Sequence, residues 1–266
     1  MNTTELCSNH SILHIVVGAE AHGLTSAAQE MANTEWDNRL FVRCSEDAEW
    51  VLKEKLDRTS YDMLVLTPVE NHATLEQSLR LSRMAKERGI LSMIAVESKT
   101  WNAAEFLTKL DLDMEEILAH TDSLILVPGE QHFYSNVTTS LSLAQRLLDD
   151  DGFINLDVSD LSAMLKDAGL AYLGCRTLKG HTCEERMTDL DSTEIIPKEI
   201  LATAKSCLIQ MNGCTDIGLE DVEGIVERVQ QYLPDDALIV FGAAFDDELQ
   251  DEIQVSVLLP GVKGHP

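Results

Sequence analysis

The strongest constraint on this fold is a repeated alternation. Short apolar runs, SILHIVVG (11–18), YDMLVLTP (61–68), ILSMIAVES (90–98) and TDSLILVPG (121–129), are separated by segments with helical periodicity. The runs are continuously apolar, not alternating, so both faces of each strand must be buried. A parallel sheet covered by helices meets that demand. NRLFVRCS (38–45) reads as a further strand. DAEWVLKEKLD (47–57), ATLEQSLRLSRMAKERG (73–89) and WNAAEFLTKLDLDMEEILAH (101–120) read as helices, the last as one piece.

A helix over 137–148 is expected next, then the segment GFINLDVSDL (152–161) and a helix over 158–168 closed by Gly169. LAYLGCRTLKG (170–180) and AKSCLIQMNGC (204–214) read as strands. In LEDVEGIVERVQQYL (219–233), Leu219, Val222, Ile225, Val226, Val229 and Leu233 fall on one helical face. ALIVFGAAFDDELQDEIQVSVLLPG (237–261) reads as two strands joined by an acidic turn, a terminal hairpin. The expected fold class is α/β: an N-terminal doubly wound parallel sheet, a central helix and a smaller C-terminal α/β domain. The expected boundaries are a frayed N-terminus at 1–10, a first domain at 11–133, the central helix at 134–151 and a second domain at 152–262.

Charge excludes some partners. With 46 acidic and 20 basic residues the formal charge is −26, which repels phosphate backbones and anionic lipid, so neither nucleic acid nor membrane is an expected partner. There is no run of eighteen apolar residues and no basic, apolar leader, so a cytoplasmic protein is expected. The six cysteines, at 7, 44, 175, 183, 207 and 214, include no CxxC pair. Cys175, His181 and Cys183 form a loose cluster without paired zinc-ligand spacing, and reduced thiols are the better reading. Asp149, Asp150 and Asp151 read as a solvated helix end. His22, His72 and His132 follow strands and read as loop histidines. No metal is expected.

Four stretches carry a resemblance: ERGILSMIAVESK (87–99), HTDSLILVPGE (120–130), DGFINLDVSDLSAMLKDAGLAYLG (151–174) and ALIVFGAAFDDELQDEIQVSVLLPGV (237–262). They are similar, in order and local sequence, to the FtsZ/tubulin superfamily. In that family one subunit holds GTP, and an Asn-x-Asp-x-x-Asp synergy loop from the next subunit closes over it. Asn155, Asp157 and Asp160 occupy those three positions. The resemblance therefore implies that these carboxylates position and polarise the water attacking a partner's GTP. Asp157 also suits the N-cap of the following helix, with Asp160 in its first turn, and the two roles are compatible.

The phosphate-holding half of the family's site departs from the pattern. Where the family has a glycine-rich turn between strand and helix, this chain has LTPVENHATLEQ (66–77), with no glycine. Pro68 lacks an N–H and Glu70 adds negative charge. A carboxylate ~5 Å from a phosphate costs on the order of 3 kcal/mol at an effective dielectric near 20. The first phosphate turn reads GAEAHG (18–23), keeping Gly18 and Gly23 with Glu20 between them. By resemblance the chain is expected to bind no nucleotide cofactor and to have no GTPase activity of its own. It is expected to dock on FtsZ or another FtsZ-like protein, capping or regulating filaments and stimulating the partner's GTPase in trans. Two alternatives stay open: nucleotide-independent self-assembly as a scaffold, and a divergent GTPase. The sequence ends at Pro266, soon after the matched region, so tethering to a membrane through a tail is not expected.

Overall fold

The computed structural model describes residues 12–18, 39–43, 47–68, 72–110, 113–128, 136–137, 140–141, 144, 152–154, 156, 158–214, 217–246, 249 and 251–262. Its frame is a ten-stranded sheet in the order β2-β1-β3-β4-β5-β7-β10-β8-β9-β6. The strands are β1 (Ile12–Gly18), β2 (Arg39–Arg43), β3 (Met63–Pro68), β4 (Leu91–Ser98), β5 (Ser123–Pro128), β6 (Gly152–Ile154), β7 (Gly169–Lys179), β8 (Ser206–Gly213), β9 (Leu238–Phe245) and β10 (Glu252–Pro260). The helices are α1 (Asp47–Arg58), α2 (His72–Lys86), α3 (Ala103–Leu110), α4 (Met114–His120), α5 (Val158–Leu165), α6 (Cys183–Ser192), α7 (Lys198–Leu201) and α8 (Leu219–Gln230).

The parallel half follows from the apolar runs. Every residue of β1 is buried, as are Met63–Thr67 of β3. The alternation along each strand feeds two cores, one on each face of the sheet. Leu64 and Leu66 enter one, with Leu13 and Ile15; Met63 and Val65 enter the other, with Ile12 and Met93. α2 packs on the first face through Leu75, Leu79 and Leu81.

Two expectations are corrected. The 101–120 segment is two helices. Asp113 caps α4 by accepting a hydrogen bond from the Glu115 N–H (2.9 Å), and the cap restarts the helix after a break. β9 and β10 are not a hairpin, because β8 lies between them, parallel to β9 and antiparallel to β10. The β8–α8–β9 crossover sends β9 outward. The chain then returns across the end of β8, where the Asp246 N–H donates to the Gly213 carbonyl (2.8 Å) and Asn212 Nδ2 to Asp246 Oδ2 (3.1 Å). The C-terminal strands continue the sheet of the parallel half. β5 and β7 pair in parallel from Ser123↔Gly169 to Leu126↔Tyr172, joining all ten strands. Of the expected central helix, residues 136–137, 140–141 and 144 are helical. Ser140 Oγ reaches Ser256 Oγ on β10 (2.9 Å) and Cys175 Sγ on β7 (3.3 Å).

Gly174 sits mid-strand in β7, where α6 and α7 are joined across it. A Cβ there would lie 2.5 Å from the Ile195 carbonyl oxygen and 2.6 Å from Ile196 Cγ1. Gly174→Ala is expected to destabilise the chain by about 1–3 kcal/mol, through overpacking against backbone that cannot retreat. Urea denaturation measures this, and an unchanged midpoint contradicts it. Among the described residues no helix is long and apolar enough to cross a membrane.

Candidate functional site

The segment that opens at Gly152 builds the outer edge of the sheet. β6 is only three residues long and pairs antiparallel with β9, Gly152 opposite Ala244 and Ile154 opposite Ala243, with an irregular register between them. Leu156 is then buried and α5 begins at Val158. Leu161, Met164 and Leu165 of α5 pack into the core that also holds Ile125, Val127, Ala171 and Leu173. Each contributes about 1.5–3 kcal/mol by burial. That anchoring leaves Asp160, in the first turn, on the exposed side of the helix near its positive end. Asn155 and Asp157 lie outside the described residues.

The other end of α5 is clamped. Asp167 follows the helix with φ 51°, a left-handed conformation unusual for a residue with a Cβ. Its backbone N–H points at Asp122 Oδ1 (3.4 Å), and its carboxylate accepts from Lys86 Nζ (2.7 Å). Lys86, at the end of α2, also reaches Asp122 Oδ1 (3.3 Å) and the Thr121 carbonyl (3.2 Å). Asp122 is buried and accepts from the Ser92 N–H (2.8 Å) at the start of β4. Burial works against the Lys86 charge, yet its hydrogen bond to Asp167 and its proximity to Asp122 hold the ammonium above its ordinary range. Asp167 is correspondingly lowered, chiefly by the Lys86 hydrogen bond. The clamp ties the exit of α5 to α2, β4 and β5, so the exposed carboxylate of Asp160 rides on a fixed helix. A cleft of about 600 Å³ opens beside it, walled by Leu56, Tyr61, Ile90 and Lys166. Lys86 and Arg88 on its rim are committed to Asp122, Asp167 and Asp57.

The glycine-poor turn can be placed in part. β1 ends at Gly18, and the rest of 18–23, with Glu20 and Gly23, lies outside the described residues. β3 ends at Pro68 and α2 begins at His72, so three residues (69–71) make the connection, none of them glycine. Glu70 is among those three and lies outside the described residues.

Among the described residues the remaining sequence candidates do not assemble. Cys175 is enclosed among Ser140 and Ser256, and burial pushes its thiol up. His181 sits on the surface and pairs with Asp251 (2.9 Å), while Cys183 opens α6. Among the described residues no group of three or more His, Cys, Asp or Glu could hold a metal. Asp149–Asp151, His22 and His132 lie outside the described residues, as does the side chain of His72. The hydrogen bond and charge of Asp251 raise His181 above its ordinary 6.5. The pair's contribution is therefore full below pH 6.5 and disappears as pH rises through the higher folded-state value. An NMR titration is expected to place the His181 midpoint above 6.5 and to lower it in Asp251→Asn; an unmoved midpoint contradicts the pairing.

One feature escaped the sequence reading. Among the described residues five large apolar side chains are exposed, and three of them, Leu238 (54%), Phe241 (36%) and Phe245 (39%), lie on β9. Only the pairing of β9 at the sheet's border, which periodicity does not reveal, could have flagged them.

Comparison with known proteins gives a consistent set. Residues 181–263 match the family model described as FtsZ family, C-terminal domain. The chain is 25% identical over 285 aligned positions to the cell division protein FtsZ of Methanothermobacter thermautotrophicus, covering 93% of this chain and 74% of that one. It is 27% identical to the Wolbachia sp protein of the same name, covering 68% and 50%. The chain thus spans only half the length of this bacterial relative. Among solved structures, it is similar to an empty FtsZ dimer from M. jannaschii, with a TM-score of 0.68 and 18% identity over 95% of this chain and 89% of that one. It is also similar to TubZ from Bacillus thuringiensis serovar israelensis in GDP-form protofilaments, with a TM-score of 0.62 and 13% identity over 97% and 87%. At these identities the structural likenesses speak for the fold.

Proposed function

We propose, starting from the chain's place in the FtsZ/tubulin superfamily as a divergent member, that it is a cell-division protein of the FtsZ type that lends its synergy-loop face to a partner without seating GTP itself. Asp160, and with it Asn155 and Asp157, would approach the γ-phosphate of GTP held by an FtsZ or FtsZ-like subunit. There the carboxylates orient the attacking water. A subunit competent at one face only ends a filament, so capping or regulation of assembly follows from geometry.

The observation that carries this reading is the Pro68–His72 connection: three residues, none of them glycine, the first preceded by a proline. Phosphate cradles need several backbone N–H groups to approach oxygen atoms without an intervening Cβ. Val69, Glu70 and Asn71 all carry a Cβ, and Pro68 has no N–H. The clamped α5, with its exposed acid, supports the other half of the reading.

The test mixes the purified chain with FtsZ and follows GTP turnover and pelleting. Substoichiometric amounts are expected to change both. Titration of the isolated chain with GTP and magnesium is expected to give no micromolar heat signal. Micromolar binding would overturn the reading in favour of a divergent GTPase. Pelleting of the chain alone, with FtsZ unaffected, would overturn it in favour of a self-assembling scaffold.

A further inference from the structure

We propose that the outer edge of β9, from Leu238 to Phe241, is a docking site for an extended segment that pairs with it as a strand and carries basic residues at the end lying against Asp235 and Asp236. This goes beyond the synergy-loop reading and stands on different residues.

β8 covers the inner edge of β9 along its whole length. On the outer edge β6 covers only Ala243 and Ala244, so the stretch before them pairs with no described strand. Such an edge offers a row of backbone donors and acceptors to another chain. Exposed edges are usually blunted by a lysine, a proline or an inward charge. From Ala237 to Phe245 this strand has none: nine consecutive residues are uncharged. Leu238 and Phe241 add exposed apolar surface on opposite faces of the sheet, so an incoming strand gains packing on both sides.

Charge decides the occupant. Asp235 and Asp236 are exposed just before the strand, and Asp246 follows it directly. A second copy of this chain fits badly. Two-fold antiparallel pairing over Leu238–Phe241 brings the Asp235–Asp236 pair of each copy within two or three residues of the other's Asp246, between molecules each carrying −26. β6 also blocks extension of such a pair beyond Gly242. A strand with lysine or arginine at one end meets Asp235 and Asp236 there and the edge from Leu238 to Phe241 beyond them, while β6 stands between that edge and Asp246.

The probe is a labelled six-residue peptide of four alternating valine and threonine residues with two lysines at one end. Two controls accompany it: the same peptide with glutamates for lysines, and the lysine peptide with a central proline. The first is expected to bind, to slow amide exchange across Leu238–Phe241, and to bind at least tenfold more tightly than either control. The proline control has the same charge, so equal binding by it would reduce the effect to bulk attraction and overturn the proposal. Equal binding by the glutamate peptide, or unchanged exchange in β9, would also overturn it. Phe241→Lys is expected to weaken binding at least tenfold with an unchanged melting curve, and Leu238→Lys serves if that variant misfolds. A concentration-dependent dimer abolished by Phe241→Lys would assign the edge to a second copy and sink the proposal. Asp160→Ala is expected to leave peptide binding intact, so failure of the synergy-loop reading is seen separately.

Discussion

Replacing Asp160 with alanine is expected to leave the chain folded while removing its effect on a partner's GTP turnover. The fold should survive because the side chain is exposed and the helix is held from its other face by Leu161, Met164 and Leu165. The stability cost is that of one acid in a first helical turn, about 0.3–1 kcal/mol. The functional cost is much larger if the carboxylate orients water in the transition state, on the order of 10²–10⁴-fold. Asp160→Asn refines the measurement. It keeps the shape and a hydrogen-bonding oxygen but loses the charge, so it should lose the same helix-end stabilisation as alanine and should not recover stimulation. Turnover of FtsZ in the presence of each variant, with circular dichroism melts alongside, provides the comparison. Stimulation that persists unchanged in Asp160→Ala would reduce this residue to a helix-end charge and remove the chemical part of the proposal.

Arg186→Ala is expected to be the most damaging change to stability, at about 3–5 kcal/mol. Arg186 and Asp221 are both almost fully buried, at 2% and 4% exposure. The guanidinium donates to Asp221 Oδ2 (3.1 Å) and, through Nε, to the Gly180 carbonyl (2.9 Å). It joins α6 to the first turn of α8, where Asp221 Oδ2 also accepts from the Gly218 N–H (3.0 Å). Removing the cation strands a buried carboxylate whose Oδ1 has no hydrogen-bond partner among the described residues. A fall in Tm on the order of 10 °C should accompany the loss. The double variant Arg186→Met, Asp221→Asn should recover part of it, because no uncompensated charge remains. A loss below about 1 kcal/mol in urea denaturation would show that water or relaxation replaces the pair.

What could be read in advance divides along physical lines. The four buried parallel strands were legible because burial on both faces needs unbroken apolar runs, and few other structures do. The amphipathic α8 was legible through Val222, Ile225 and Val229, which the structure buries together. α6 was missed, since CEERMTDLDS carries little apolar periodicity. Its signal lay in the cap: Thr182 Oγ1 accepts from the Glu185 N–H (3.3 Å), and Glu185 returns a bond to the His181 N–H (2.8 Å). The hairpin expectation failed because adjacency along the chain was taken for adjacency in the sheet, and nothing local in 237–261 announces an intervening strand. At the candidate site, Asp160 could be named only through the resemblance of Asn155, Asp157 and Asp160 to the synergy-loop motif. Its companions on β9 could not, because Phe241 and Phe245 look like core residues until the sheet's border is known.

The β5–β7 seam has a mechanical corollary. Two bodies hung on a helix can swing, whereas strands laced side by side cannot turn without unzipping the ladder between Ser123 and Tyr172. The chain should therefore melt in one calorimetric peak. Force applied at the far border should travel through the weave as tension, not be absorbed at a joint.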